Sequence, residues 1–206
     1  MHHTDTVSSA RKVQRGLTLI EMLVVIGLTG LVGVGLLSMI AYFYRSNAFL
    51  LEATTAVDSA SRGVRESLTL LRGASYGEDG TYPVAAAATS SVTFYSNADS
   101  DRAIERVRLY VLGGTLYQVV TNAGGNPPSY SGQTQSTSTI ATWVSNATST
   151  PAFRYYNNEG TELTGMVDIT AVRTVRSRID VDINPYRAPN ILTIEGSATL
   201  RNLRDE

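Results

Sequence analysis

Cysteine is absent from the 206 residues, and lysine and histidine are nearly so. Without cysteine there is no disulfide and no thiolate metal site. Both histidines, His2 and His3, and the single lysine, Lys12, lie ahead of Gly16. If residues 1–16 are removed, the product lacks His, Cys and Lys. Nucleophiles of the Ser-His-Asp and Cys-His kinds, lysine Schiff bases and imidazole-ligated metals are then excluded. Paired carboxylates remain a possible chemistry, but the sequence places no pair in a cleft. The expectation is a non-enzyme with no catalytic residue, no metal and no cofactor. A formal net charge of -1, with no basic patch interleaved with aromatics, gives no sign of nucleic-acid binding.

Charge is missing from one long stretch as well. Residues 22–44 run for 23 positions without a charged side chain, directly after Glu21, and Arg11, Lys12 and Arg15 flank them on the amino-terminal side. This is long enough to cross a bilayer as a helix and longer than the 7–15 residues of a secretory signal core. The basic flank predicts a cytoplasmic leader and export of everything after Tyr44. Glu21 is the anomaly: an acidic residue at the centre of a membrane helix costs about 2.5–3.5 kcal/mol, less near an end. A cationic amine ~4 Å away returns about 4 kcal/mol at an effective dielectric of 20. Pairing therefore makes its burial tolerable.

The segment Arg15-Gly16-Leu17-Thr18-Leu19-Ile20-Glu21, set on that span, resembles the signal of type IV prepilins and type II secretion pseudopilins. The resemblance implies cleavage between Gly16 and Leu17 by a dedicated peptidase, methylation of the new Leu17 amine, and a docking role for Glu21 toward a neighbouring subunit's amine. Two positions depart from the usual pattern. Leu17 stands where phenylalanine is common, which leaves main-chain methylation intact, and Ser38 stands where many major pilins have proline. Gly27, Gly30, Gly33 and Gly35 fit flexibility, close helix packing or the ordinary frequency of glycine in membrane helices.

Helical periodicity continues beyond the span. Phe49, Ala53, Val57, Ala60, Val64, Leu68 and Leu71 recur at steps of four and three, with Glu52, Asp58, Arg62, Arg65, Glu66 and Arg72 elsewhere. A helix over residues 17–72 would be about 84 Å long at 1.5 Å per residue, and its amphipathic half calls for a sheet to lie on. Gly73, Gly77, Gly80 and Pro83 end it. Strands are predicted at residues 91–96, 106–112, 115–121, 153–156, 178–183 and 191–200, with Gly113-Gly114 as a two-residue hairpin turn and residues 157–160 as another turn. Residues 129–150, rich in Ser and Thr, read as an exposed insertion pinned by Ile140, Trp143 and Val144. Arg106, Arg108, Tyr110, Tyr155 and Tyr156 read as the exposed face of strands. Asn97, Asp99 and Asp101 alternate oxygen donors as calcium loops do, but without the expected Gly and later bidentate Glu, so a solvated turn is expected. Asn146-Ala147-Thr148 fits a glycosylation sequon.

The expected fold is α+β and pilin-like: one long amino-terminal helix on an antiparallel β head. The expected organisation is a cytoplasmic leader at 1–16, a transmembrane helix at 17–44, its amphipathic continuation at 45–72 and an extracytoplasmic head at 73–206. The 190 residues after Gly16, the absence of a cysteine pair and the closing T-L-R-N at Thr199 to Asn202 resemble large minor pilins and J-type minor pseudopilins. The resemblance implies a minor subunit of a type IV pilus-like filament. Its partners would be other major and minor pilins, the prepilin peptidase and N-methyltransferase, an assembly platform protein and membrane lipid. It would reside in the cytoplasmic membrane and then in the filament at the cell surface. The alternatives are a minor pseudopilin of a secretion or DNA-uptake machine, and a membrane-anchored binding or adhesin domain that never polymerises.

Overall fold

A computed structural model describes residues 18–99, 101–146, 149–183 and 191–203. The chain divides into two units, Met1–Phe49 and Leu50–Glu206. Helix α1, Leu19–Arg72, supplies all of the described first unit except Thr18, and the opening of the second. The α+β expectation holds, with one difference of detail: the second unit contains two antiparallel sheets.

The first sheet runs in the order β1-β2-β3-β4-β5, formed by Val84–Ala88, Ser91–Ser96, Glu105–Leu112, Thr115–Thr121 and Gln135–Thr142. The second runs β7-β6-β8-β9, formed by Glu162–Leu163, Phe153–Tyr156, Thr174–Val181 and Leu192–Thr199. Two-residue alternation decides what each strand buries. In β3, Glu105, Val107 and Leu109 turn inward while Arg106, Arg108 and Tyr110 turn out. Register places Phe94 and Val120 opposite Val107 on either side. Gly113 and Gly114 close the β3–β4 hairpin at φ 56° and 75°, a left-handed pair that glycine adopts without a Cβ penalty.

Between the sheets lies one core, in which Phe94, Leu109 and Leu116 meet Phe153, Tyr155, Val175 and Ile179. The helix contributes Ala60, Val64, Leu68 and Leu71, all nearly or fully buried. Each leucine so buried is worth about 1.5–3 kcal/mol over an exposed one. Two glycines permit close approach: a Cβ on Gly63 would lie 1.9 Å from Cγ2 of Ile140 in β5, and one on Gly196 in β9 would lie 2.4 Å from Cδ1 of Leu68. The amphipathic half of α1 thus spans both sheets. Its last carbonyls, which have no partner within a helix, are taken up locally. Gly73 N donates to Thr69 O (3.2 Å) and Ser96 Oγ to Leu70 O (2.8 Å). Just beyond the helix, Asn202 Nδ2 donates to Ala74 O (2.8 Å).

The segment expected as an exposed insertion is corrected by β5. Its sequence, Q-S-T-S-T-I-A-T, has little apolar content because seven of its residues pair with β4 and only Ala141 turns fully into the core. Main-chain pairing, rather than hydrophobicity, holds this strand. Ile140 lies against Gly63, Val144 is buried, and Trp143 is largely exposed at φ 62°. The next residues stitch the sheets together, with Val144 N donating to Gly114 O (2.9 Å) and Ser145 N to Asp180 O (2.7 Å).

Candidate functional site

Helix α1 begins with a reciprocal cap. Thr18 N donates to Oε2 of Glu21 (3.4 Å), Glu21 N donates to Oγ1 of Thr18 (3.3 Å), and Met22 N donates to Thr18 O (3.1 Å) as the first helical bond. This is the capping-box pattern, in which a Thr and a Glu three residues later satisfy each other's amides. Its signature, T-x-x-E ahead of an apolar run, is present in the sequence at Thr18 and Glu21. A carboxylate in the first turn also complements the positive end of the helix dipole. The cap fixes the position of Glu21, and the carboxylate remains exposed.

Beyond Glu21 the helix offers apolar surface on every side. The large hydrophobic side chains of residues 19–44 are all at least half exposed, from 51% at Ile40 to 84% at Leu19. Nothing lies within 4 Å of where a Cβ on Gly27, Gly30, Gly33 or Gly35 would be. The two interior hydroxyls bond back to the helix, Thr29 Oγ1 to Val25 O (2.7 Å) and Ser38 Oγ to Val34 O (2.9 Å). Neither of these two hydroxyls then needs water, as a lipid environment demands. Tyr42, Phe43 and Tyr44 end the run ahead of Arg45, an aromatic girdle of the type found at membrane interfaces. By length and composition α1 can cross a membrane.

Residues 11–37 match the family model of the prokaryotic N-terminal methylation motif. The chain carries the type IV pilin and pseudopilin signal. A search of curated proteins found no match. The signal supports the pilin and pseudopilin class, whose members are structural subunits, and implies processing by prepilin peptidase and assembly with other pilins generally. Together with the apolar helix it fits membrane anchoring and a pilus at the cell surface. Gly16 and Leu17, the expected cleavage and methylation positions, lie inside the matched stretch and outside the described residues.

The remaining sequence candidates separate in the head. Arg106 and Arg108 lie over Tyr130 and Tyr110 at 5.9 and 5.0 Å, and Tyr110 stacks on Tyr117; Arg108 is exposed and Arg106, Tyr110 and Tyr117 are half-buried on the outward face of the sheet, while Tyr130 is buried. Tyr156, under Arg176, belongs to a similar face. Tyr155 does not. It is 2% exposed, and its hydroxyl bridges Ala88 O (2.8 Å), Ser91 O (2.9 Å) and Ala88 N (3.1 Å), because the β6 alternation that exposes Arg154 turns Tyr155 into the core. Burial pushes its phenol well above the ordinary value. Asn146, the sequon residue, spends its amide within the fold: Nδ2 donates to Arg178 O (2.9 Å) and Thr150 O (3.2 Å), and Oδ1 accepts from Asp180 N (3.0 Å). A glycan on Nδ2 would replace one of its two N–H donors and so break at least one of these bonds.

Proposed function

We propose that the chain is a minor type IV pilin. Its precursor is held in the cytoplasmic membrane by residues 17–44 with the head outside, is cut between Gly16 and Leu17, and is methylated on the Leu17 amine. Docking of Glu21 against the terminal amine of a neighbouring subunit then brings it into a pilus-like filament. The reading rests on one observation above all: a capped, exposed carboxylate heads an apolar helical surface that nothing in the described chain covers. Neighbouring helices in a filament would bury that surface, and an amine would neutralise the acid that goes with it.

A minor rather than major subunit is favoured by the cysteine-free head, which has no disulfide-bounded loop. A minor pseudopilin of a secretion or DNA-uptake machine draws on the same signal. In this reading the catalytic chemistry belongs to the processing peptidase, and the chain itself is structural. Glu21→Ala tests the docking step: the variant should be trimmed normally, yet its recovery in sheared filaments should fall to background. Incorporation at the wild-type level would remove the pairing. A non-polymerising binding domain would be indifferent to the change.

A further inference from the structure

Asp99 and Asp101 lie between β2 and β3, and Glu105 opens β3. The alternation that sends Val107 and Leu109 inward sends Glu105 inward too, leaving it 0% exposed. Oε2 of Glu105 accepts from Ala98 N at 2.7 Å, whereas Oε1 is buried without a hydrogen-bond partner. Oδ1 of Asn97 is also buried without one, its Nδ2 being used on Asp101 O. One carboxylate oxygen from each of Asp99, Asp101 and Glu105 lies within 4.8 Å of the others. None of the three forms an ion pair among the described residues, where the pairs are Arg62–Asp58, Arg154–Glu162 and Arg178–Asp180.

A buried carboxylate with an orphaned oxygen, facing two more carboxylates, is an arrangement that folding should avoid unless something positive completes it. Desolvation raises the Glu105 pKa, and the charges of Asp99 and Asp101 raise it further. The backbone already fixes the donors. Asp99 Oδ1 accepts from Asp101 N (3.2 Å) and Asp101 Oδ1 from Ala103 N (2.6 Å), so each aspartate is oriented through one oxygen and keeps the other. Ile104 N donates to Glu78 Oε1 (3.0 Å), which ties the start of β3 to the turn after α1.

We propose that Asn97, Asp99, Asp101 and Glu105 form a calcium site in the head. The donors are all hard oxygens, the set that calcium takes, and twice a calcium–oxygen distance of about 2.4 Å spans the observed spread. Magnesium, at about 2.1 Å with near-octahedral demands, fits an irregular set of this width less well. Glu105 supplies the later acidic ligand whose absence at the usual calcium-loop spacing pointed to a solvated turn. Two exposed carboxylates, one buried carboxylate and one half-buried amide suit the weak range of extracellular modules, a Kd of about 10⁻⁴–10⁻³ M. Filament assembly is not required for binding.

The test uses the full-length chain in detergent, stripped of metal with a chelator, near neutral pH. Thermal unfolding is followed against added CaCl2 or MgCl2, and terbium luminescence sensitised by tyrosine is read in parallel. Calcium should raise the unfolding midpoint saturably in the sub-millimolar to millimolar range, magnesium should do so far more weakly, and calcium should quench the terbium signal by competition. Losing a residue that only orients a metal ligand costs metal sites about 10- to 100-fold, so Asp99→Asn and Asp101→Asn, both at exposed positions, should each weaken calcium binding at least tenfold. Glu105→Gln should abolish the response. No calcium-dependent shift up to about 10 mM, an equal response to magnesium, or an unchanged response in the Asp99→Asn/Asp101→Asn double variant would overturn the site.

Discussion

The two halves of helix α1 use the same residue types to opposite ends. In residues 19–49 leucines, valines and glycines face outward on every side, and no glycine has a neighbour within 4 Å of where its Cβ would be. In residues 50–72 the buried apolar side chains fall on a stripe, Ala60, Val64, Leu68 and Leu71, and Gly63 is crossed so closely by Ile140 that no Cβ fits. A helix that is apolar all round needs partners beyond its own chain, whereas one with a single apolar stripe finds its partner within the fold. The difference separates an assembly or membrane surface from a folding surface along one continuous element.

Substitutions matched between the halves sharpen this contrast. The largest effect is expected at Leu71, which is fully buried: Leu71→Ala should cost about 2–5 kcal/mol, read as a lower denaturation midpoint of the head with an unchanged slope. Leu31→Ala, at a residue 73% exposed, should leave that midpoint where it is. If both variants lowered it equally, the contrast would fail.

Glycine gives the next comparison. Gly63→Ala should cost about 1–3 kcal/mol by overpacking, and trimming Ile140 to alanine should restore only part of it, because the Ile140 main-chain oxygen would also lie 2.9 Å from the new Cβ. Gly30→Ala meets open space and should leave the head's stability unchanged. An effect of similar size, dependent on pH, belongs to the head alone. Tyr155→Phe should cost about 1–3 kcal/mol by leaving buried main-chain groups without their partner. With the Tyr155 phenol raised by burial, its contribution is whole below its ordinary pKa of about 10 and is lost as pH rises toward the folded value. Tyr155→Phe should therefore show a shallower alkaline loss of stability than wild type in urea titrations above pH ~10.

How much could be read in advance depended on what holds each element. Strands carried by alternation, such as Ser91–Ser96, Thr115–Thr121 and Phe153–Tyr156, were legible to the residue, as was the Gly113-Gly114 turn. Val84–Ala88 and Gln135–Thr142 were missed because alanine, serine and threonine carry little periodic signal, and their places are set by pairing with β2 and β4. Strand β8 begins at Thr174, four residues before the expected start, since Ser177 interrupts the inward apolar face of Val175, Ile179 and Val181. The helix and Glu21 were plain from charge patterning. The cap made by Thr18 and the inward turn of Glu105 had local signatures to find, T-x-x-E and the two-residue alternation of β3, whereas the closure of the helix end by Asn202 depends on three-dimensional proximity.

The proposed docking of Glu21 needs a processed front end whose amine can meet the Glu21 of another subunit. Mass spectrometry of the amino-terminal peptide from native membranes addresses this directly. The predicted peptide begins at Leu17 and carries an added methyl group on its amine. A peptide that begins at Met1, unmodified, would contradict the account.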